Sequence, residues 1–116
     1  MKTRELPIYG AVYRYAREIF AIKIKLPKSL KHDLGQETFS SAIRILKHIA
    51  LANRAHDKTP HIEEALLEIE AQWALTRLIF DLRGISTGQF EAVSQRLSEI
   101  GRQAQAWLKW DKTRQA

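Results

Sequence analysis

The chain has 116 residues, is 45% hydrophobic, and carries 19 Lys and Arg against 13 Asp and Glu for a formal net charge of +6. That length and apolar content suit one domain, residues 1–116, and argue against global disorder. With no cysteine there can be no disulfide framework, thiolate metal site or cysteine nucleophile. No apolar run approaches the roughly 18–20 residues of a membrane span, and Met1-Lys2-Thr3-Arg4-Glu5-Leu6-Pro7 lacks the apolar centre of a signal peptide, so a cytoplasmic protein without membrane association is expected.

The apolar spacing is helical from end to end. Ile8, Val12, Tyr15, Ile19, Ile22 and Leu26 step alternately by four and three, which keeps one face of a first helix apolar. Pro7 suits its first turn, where a missing N–H costs nothing. Pro27 ends it by disfavouring α geometry at Leu26, and Lys28 to Asp33 reads as a connection. A second helix is predicted from about Asp33 to Arg54, with Phe39, Ala42, Ile43, Leu46, Ile49 and Ala50 as its buried stripe. Ala55-His56-Asp57-Lys58 turns the chain.

Thr59 is the predicted N-cap of a third helix and Pro60 its first residue. Ile62, Leu66, Ile69, Trp73, Thr76 and Phe80 form its stripe, and Gly84 fits the left-handed position beyond its end. The fourth helix has the clearest start. Ser86 and Gln89 match a capping box, and Ile85 with Phe90 matches a hydrophobic staple. Its stripe runs through Val93, Leu97, Ile100, Ala104 and Trp107, with Trp110 as an outlier. Four such helices with short connections predict an all-α, up-down-up-down four-helix bundle.

The third helix is apolar on a second face. At about 100° per residue, Leu67, Ala71, Leu75, Leu78 and Leu82 lie roughly opposite its core stripe, interrupted only by Glu64 and Glu68. The first helix shows a milder version in Tyr9, Tyr13, Phe20 and Ile24. A helix apolar on two faces needs two partners, and a homo-oligomer with Tyr13, Phe20, Leu67, Ala71, Leu75, Leu78 and Leu82 at its interface is the expectation.

The positive charge is uneven. Residues 1–31 hold eight Lys and Arg and two acids, whereas residues 59–83 sum to −3. A localised basic patch favours a polyanionic partner, most often nucleic acid. Lys23, Lys25, Lys28 and Lys31 crowd the end of the first helix and the loop after it, with Arg14 and Arg17 earlier on that helix. Lys109, Lys112 and Arg114 form a basic tail, predicted at the opposite end of the bundle. No base-reading motif is present, and the tryptophans and most other aromatics fall on core stripes, so stacking platforms are not expected and contact is mainly with phosphates. Arg77, with Asp81 one turn later, reads either as an i,i+4 ion pair or as a cation facing an oligomer channel.

Signs of catalysis are sparse. The five glycines make no phosphate loop, no Glu-x-x-His element of di-iron bundles occurs, and the acids beside His61 suit a helix N-terminus better than a metal. Arg54 to His61 matches the Arg-to-His spacing of bundle ribonucleases of the HEPN class, but the span crosses a predicted turn and contains Pro60. No cofactor or metal is implied.

Several stretches carry a resemblance. They are Leu26-Pro27-Lys28, Gly35-Gln36-Glu37-Thr38-Phe39, Leu75-Thr76-Arg77-Leu78, and Glu99-Ile100-Gly101-Arg102 followed by Trp107-Leu108. From about Ile8 to Trp110 the chain resembles the accessory variability determinant (Avd) family of diversity-generating retroelements, which belongs with the four-helix bundle proteins encoded in 23S rRNA intervening sequences. The resemblance implies a homopentameric barrel of bundles with a basic surface. It further implies a non-enzymatic accessory protein that binds the retroelement reverse transcriptase together with RNA and/or DNA, and supports mutagenic cDNA synthesis and retrohoming. Arg77 matches a basic position of the family, whereas Asp81 stands where a second cation is expected. On this basis Arg14, Arg17, Lys23, Lys25, Lys28, Lys31 and Arg77 are the expected nucleic-acid contacts. An intervening-sequence-type bundle of unknown role, or a HEPN-like ribonuclease, is the alternative.

Overall fold

A computed structural model describes all 116 residues. Four long helices account for most of the chain: α1 (Pro7–Lys25), α2 (Gln36–Arg54), α3 (Thr59–Asp81) and α4 (Thr87–Gln115). α1 and α3 each pack against both α2 and α4, so α1 and α3 face one another across one diagonal of a square, elongated bundle measuring 48 × 20 × 20 Å. Short connections make sequence neighbours antiparallel. The end of α1, the start of α2, the end of α3 and the start of α4 therefore share one end, here called proximal. The N-terminal segment, the α2–α3 loop and the end of α4 share the distal end.

The local signals explain most boundaries. Pro7 occupies the first turn of α1, and Leu26, extended before Pro27, ends it. Pro27 interrupts the chain less than its sequence suggests. Lys28–Leu30 is already helical, and Lys31–Gly35 is a wide π-helical turn that runs straight into α2. Proline disfavours helix only in the residue before it, while its own fixed φ suits a helix start; Leu30 and Lys31 both donate to the Pro27 carbonyl at 2.9 Å. The expected Lys28–Asp33 connection is thus a helical lead-in. Gly35 is buried there because a Cβ would stand 2.9 Å from a Leu26 methyl.

The α3–α4 corner also differs from expectation. Arg83, not Gly84, takes the left-handed conformation, with φ 64°. Arg83 N–H donates to the Phe80 carbonyl and Gly84 N–H to the Ile79 carbonyl, the two bonds of a Schellman motif. Glycine is required one residue later for space, since a Cβ on Gly84 would lie 2.8 Å from Ile79 and 2.9 Å from Leu26. The Ser86–Gln89 capping box forms as predicted, with both reciprocal bonds present. Phe90 stacks on Phe80 at 4.5 Å between ring centroids, tying the start of α4 to the end of α3.

The core is one cluster that includes Val12, Tyr15, Ile19, Ile45, Ile49, Ile69, Ile79, Val93, Leu97 and Ile100. The stripes of α1 and α4 are largely those predicted, but α2 and α3 are rotated. On α2, Ile45 is buried while Ile43 is exposed; on α3, Ala65, Gln72 and Ile79 take the core places expected for Leu66, Trp73 and Phe80. A polar chain sets this rotation. The Tyr15 hydroxyl donates to Gln72 Oε1 at 2.6 Å, and Gln72 Nε2 donates to the Thr38 carbonyl at 2.7 Å. A buried amide without partners is costly, so α3 turns to present Gln72 to both neighbours.

Burial, reinforced by the nearby Glu18 carboxylate, pushes the Tyr15 hydroxyl far above its ordinary pKa. The fold thus holds the neutral phenol, while the unfolded chain ionises near pH 10. Stability is complete below that pH and is lost as pH rises beyond it. Replacing Tyr15→Phe leaves the Gln72 oxygen unpaired, and urea titration at pH 7 should show a loss of about 1–3 kcal/mol. Above pH 10 the parent should lose stability more steeply than the variant.

Candidate nucleic-acid interface

Seven ion pairs join charged side chains, and every cation in them comes from α2, α3 or α4. None of the eight Lys and Arg of residues 1–31 has an acidic partner. Glu18, the one acid of α1, is taken by Arg96 of α4 at 2.5 Å. The excess charge seen in the sequence is therefore left uncompensated on the protein surface.

These cations do not form one patch. Lys25, Lys28 and Lys31 gather at the proximal end, Lys25 as the last residue of α1 and the other two in the helical lead-in to α2. Arg83 joins them there, because the Arg83–Gly84 turn packs its glycine against Leu26. Sequence reasoning missed Arg83, since the glycine beside it absorbed the turn signal. Lys23 is half-buried and committed: its ammonium donates to Gln36 Oε1 at 2.7 Å and lies 5.9 Å from the Phe20 ring centroid and 5.6 Å from that of Phe39.

Arg14 and Arg17 are exposed on the flank of α1 and diverge. Arg14 borders a groove against α4, with Ala11, Ala92 and Gln95. Arg17 lines an apolar groove against α2, with Tyr13, Phe20, Phe39 and Ile43. Arg77 stands apart on α3, across the diagonal from α1, and its guanidinium is paired with Asp81 at 3.0 Å. Of the seven predicted contacts, three cluster, one is internally engaged, two line separate grooves, and Arg77 is in the ion pair.

The second apolar faces are open in the protomer. Tyr13, Phe20, Leu78 and Leu82 are exposed, Leu67 is 58% exposed, and Ala71 and Leu75 are half-buried. Leu66, Leu67, Trp73 and Leu108 line a groove between α3 and α4 whose rim carries Glu63 and Glu70. This groove lies on the flank opposite the Arg17 groove.

An α2–α3 staple fixes Arg44. Its guanidinium bonds Glu68 and Glu37, each at 2.7 Å, and Ser41 Oγ donates to Glu68 at 2.8 Å. Partial burial opposes ionisation of Glu68, but the hydrogen bonds from Arg44 and Ser41 outweigh it and hold its pKa below the usual value. Arg54 is the last residue of α2 and His61 lies in the first turn of α3, with Ala55–Lys58 between them. No cluster of three or more His, Asp or Glu stands ready to hold a metal.

The distal end is bound together by two side chains. Lys58 Nζ donates to the Ala52, Asn53 and Ala55 carbonyls at 2.8–3.0 Å, capping the end of α2. Asp111 of α4 is wholly buried and accepts from the Lys58 backbone N–H at 3.1 Å, the Thr59 hydroxyl at 2.9 Å, Arg114 Nε at 2.8 Å and Gln115 Nε2 at 2.8 Å. Thr59 is accordingly not the predicted N-cap. It lies inside α3, and Asp111 supplies the capping oxygen from another helix. This clamp orders the end of α4 just beyond Trp110, which is exposed, as is Trp73 on α3, so two of the three tryptophans expected on core stripes face solvent.

The chain is thus an all-α four-helix bundle with an uncompensated basic end and open apolar flanks. The profile of the bAvd-like family matches residues 8–110, and the chain belongs to that family. A comparison with curated proteins finds no match. No helix is long and apolar enough to cross a membrane.

Burial disfavours the Asp111 carboxylate, but the Thr59 hydroxyl, the charge and hydrogen bond of Arg114 and the Lys58 N–H together lower its pKa below the ordinary value. A depressed carboxylate contributes stability above its unfolded pKa, near 3.9, and loses it as pH falls through the folded value. Asp111→Asn should lower the thermal midpoint at pH 7. Below pH 4 the parent should lose stability more steeply than the variant, so the two midpoints converge.

Proposed function

We propose that this protein is a non-enzymatic, cytoplasmic accessory subunit of a diversity-generating retroelement. It holds the reverse transcriptase and nucleic acid together and supports mutagenic cDNA synthesis. The observation that carries this reading is membership of the bAvd-like family over residues 8–110.

Lys25, Lys28 and Lys31, with Arg83 added, neutralise phosphates at the proximal end, and Arg14 and Arg17 extend the field along α1. Lys23 contributes charge while anchored on Phe20 and Phe39. Arg77 contributes only when Asp81 releases it. Contacts of this kind position a polyanion without reading its sequence. The protein acts as a homo-oligomer, a pentameric ring of bundles. In support, its two apolar grooves carry opposite charge: Arg17 lines one and Glu70, which has no ion-pair partner, the other, on opposite flanks. Unlike surfaces that pair head to tail generate rings when the rotation closes. Tyr13 and Phe20 would then meet Leu67, Ala71, Leu75, Leu78 and Leu82 of the next copy.

Affinity purification of the tagged protein from its native cells, followed by mass spectrometry, tests the role. A reverse transcriptase in the eluate is the expected result; its absence with the bait well expressed would remove the retroelement partner. For the proximal end, the triple variant Lys25→Glu, Lys28→Glu and Lys31→Glu should bind single-stranded RNA more weakly. Its plot of log affinity against log salt should flatten by about 2, at roughly 0.7 per lost phosphate contact.

A further inference from the structure

Trp110 is the most exposed aromatic residue of the chain, at 53%. It sits on a braced turn rather than a loose end. The next residue, Asp111, is wholly buried against the α2–α3 loop. Arg114 bonds Asp111 and the His56 carbonyl, and Gln115 reaches both Asp57 and Asp111. Held in this way, the Arg114 guanidinium lies over Trp110, 5.0 Å from the ring centroid. One partner thus steadies the indole while much of its surface stays open to solvent.

The setting is cationic. Lys109 precedes Trp110, and Lys112 and Arg114 follow it; Lys2, Arg4 and Arg54 are brought to the same end by the Asn53 side chain, which donates to the Met1 carbonyl and the Thr3 hydroxyl. Of the acids there, Glu63 is paired with Lys112, Asp111 with Arg114, and Asp57 accepts from Gln115, which leaves Glu5 and Glu64. A flat, wet aromatic face with a guanidinium over it and Lys109 beside it in sequence matches two features of an unpaired nucleotide at once: the π-face of its base and the charge of its phosphate. A duplex offers only the second, because its bases are stacked on one another. An apolar protein partner would have to strip water from Lys109 and the neighbouring cations.

We infer that Trp110, steadied by Arg114 and adjoined in sequence by Lys109, is a base-stacking platform for single-stranded RNA or DNA, separate from the proximal phosphate-binding end. The inference shares with the proposed function only the class of ligand and does not depend on the polymerase partner. It gives the bundle a site at its distal end that distinguishes open strands from paired ones.

The test uses fluorescently labelled oligo(U), oligo(dT) and a hairpin duplex, with the full-length parent, Trp110→Ala and Trp110→Phe. Trp110→Ala should weaken single-strand binding about 5- to 150-fold, the range for one lost stacked base, with hairpin affinity nearly unchanged and the salt slope intact. Trp110→Phe should retain most of the single-strand affinity while losing most of the tryptophan quenching that the parent shows on binding. Equal single-strand affinity of parent and Trp110→Ala would overturn the platform, and if the proximal triple variant still binds weakly the proposed function stands without it. A parent that binds none of the three probes would overturn both. A change in assembly mass for Trp110→Ala, with binding intact, would assign Trp110 to contacts between copies instead.

Discussion

The hydrogen-bond chain from Tyr15 through Gln72 to the Thr38 carbonyl is the constraint on which the remaining geometry depends. It links α1, α3 and α2 through atoms that water cannot reach. Apolar packing tolerates small rotations of a helix, because one branched side chain can replace another at modest cost. A buried amide does not, because its donor and its acceptor must each find a partner at a fixed angle. Once Gln72 points inward, Ala65 and Ile79 follow it into the core, and Trp73 turns towards solvent beside the already apolar outer face of Leu67 and Leu78.

The electrostatics follow from the same arrangement. Acids that could have neutralised the basic N-terminal quarter are committed elsewhere. Glu37 and Glu68 hold Arg44, Glu18 holds Arg96, and Glu99 holds Arg102. What remains is a bundle with a lysine cluster at the proximal end and a separate basic, aromatic feature at the distal end, along a 48 Å axis. The proximal cluster is compact because Gly35 and Gly84 let the α1–α2 and α3–α4 corners close on Leu26. The distal feature is ordered because Asp111 and Lys58 satisfy helix-end groups that would otherwise face water.

Much of the fold was legible in the sequence, and the reasons are local. Pro7, the Ser86–Gln89 capping box and the four-and-three spacing of Ile8 to Ile22 are short-range signals, and they mark the helices they flank. The resemblance to the Avd family likewise rested on short stretches across Ile8 to Trp110, nearly the interval the bAvd-like profile covers. The charge imbalance was visible by counting. That the N-terminal cations would remain unpaired was not, because their potential partners lie on helices far away in sequence.

Sequence alone therefore determined the number of helices, most of their boundaries, the exposed apolar surplus and the basic bias, since each depends on residues within one or two turns of each other. Tertiary structure decided the rotation of α2 and α3, the left-handed Arg83, the capping of α3 by Asp111 and the ordered exposure of Trp110. Each of these is set by a partner on another helix. The pairing of Tyr15 with Gln72 spans 57 residues, and that of Thr59 with Asp111 spans 52. Periodicity shows that a helix has an apolar face; only the groups across the core determine which residues it buries.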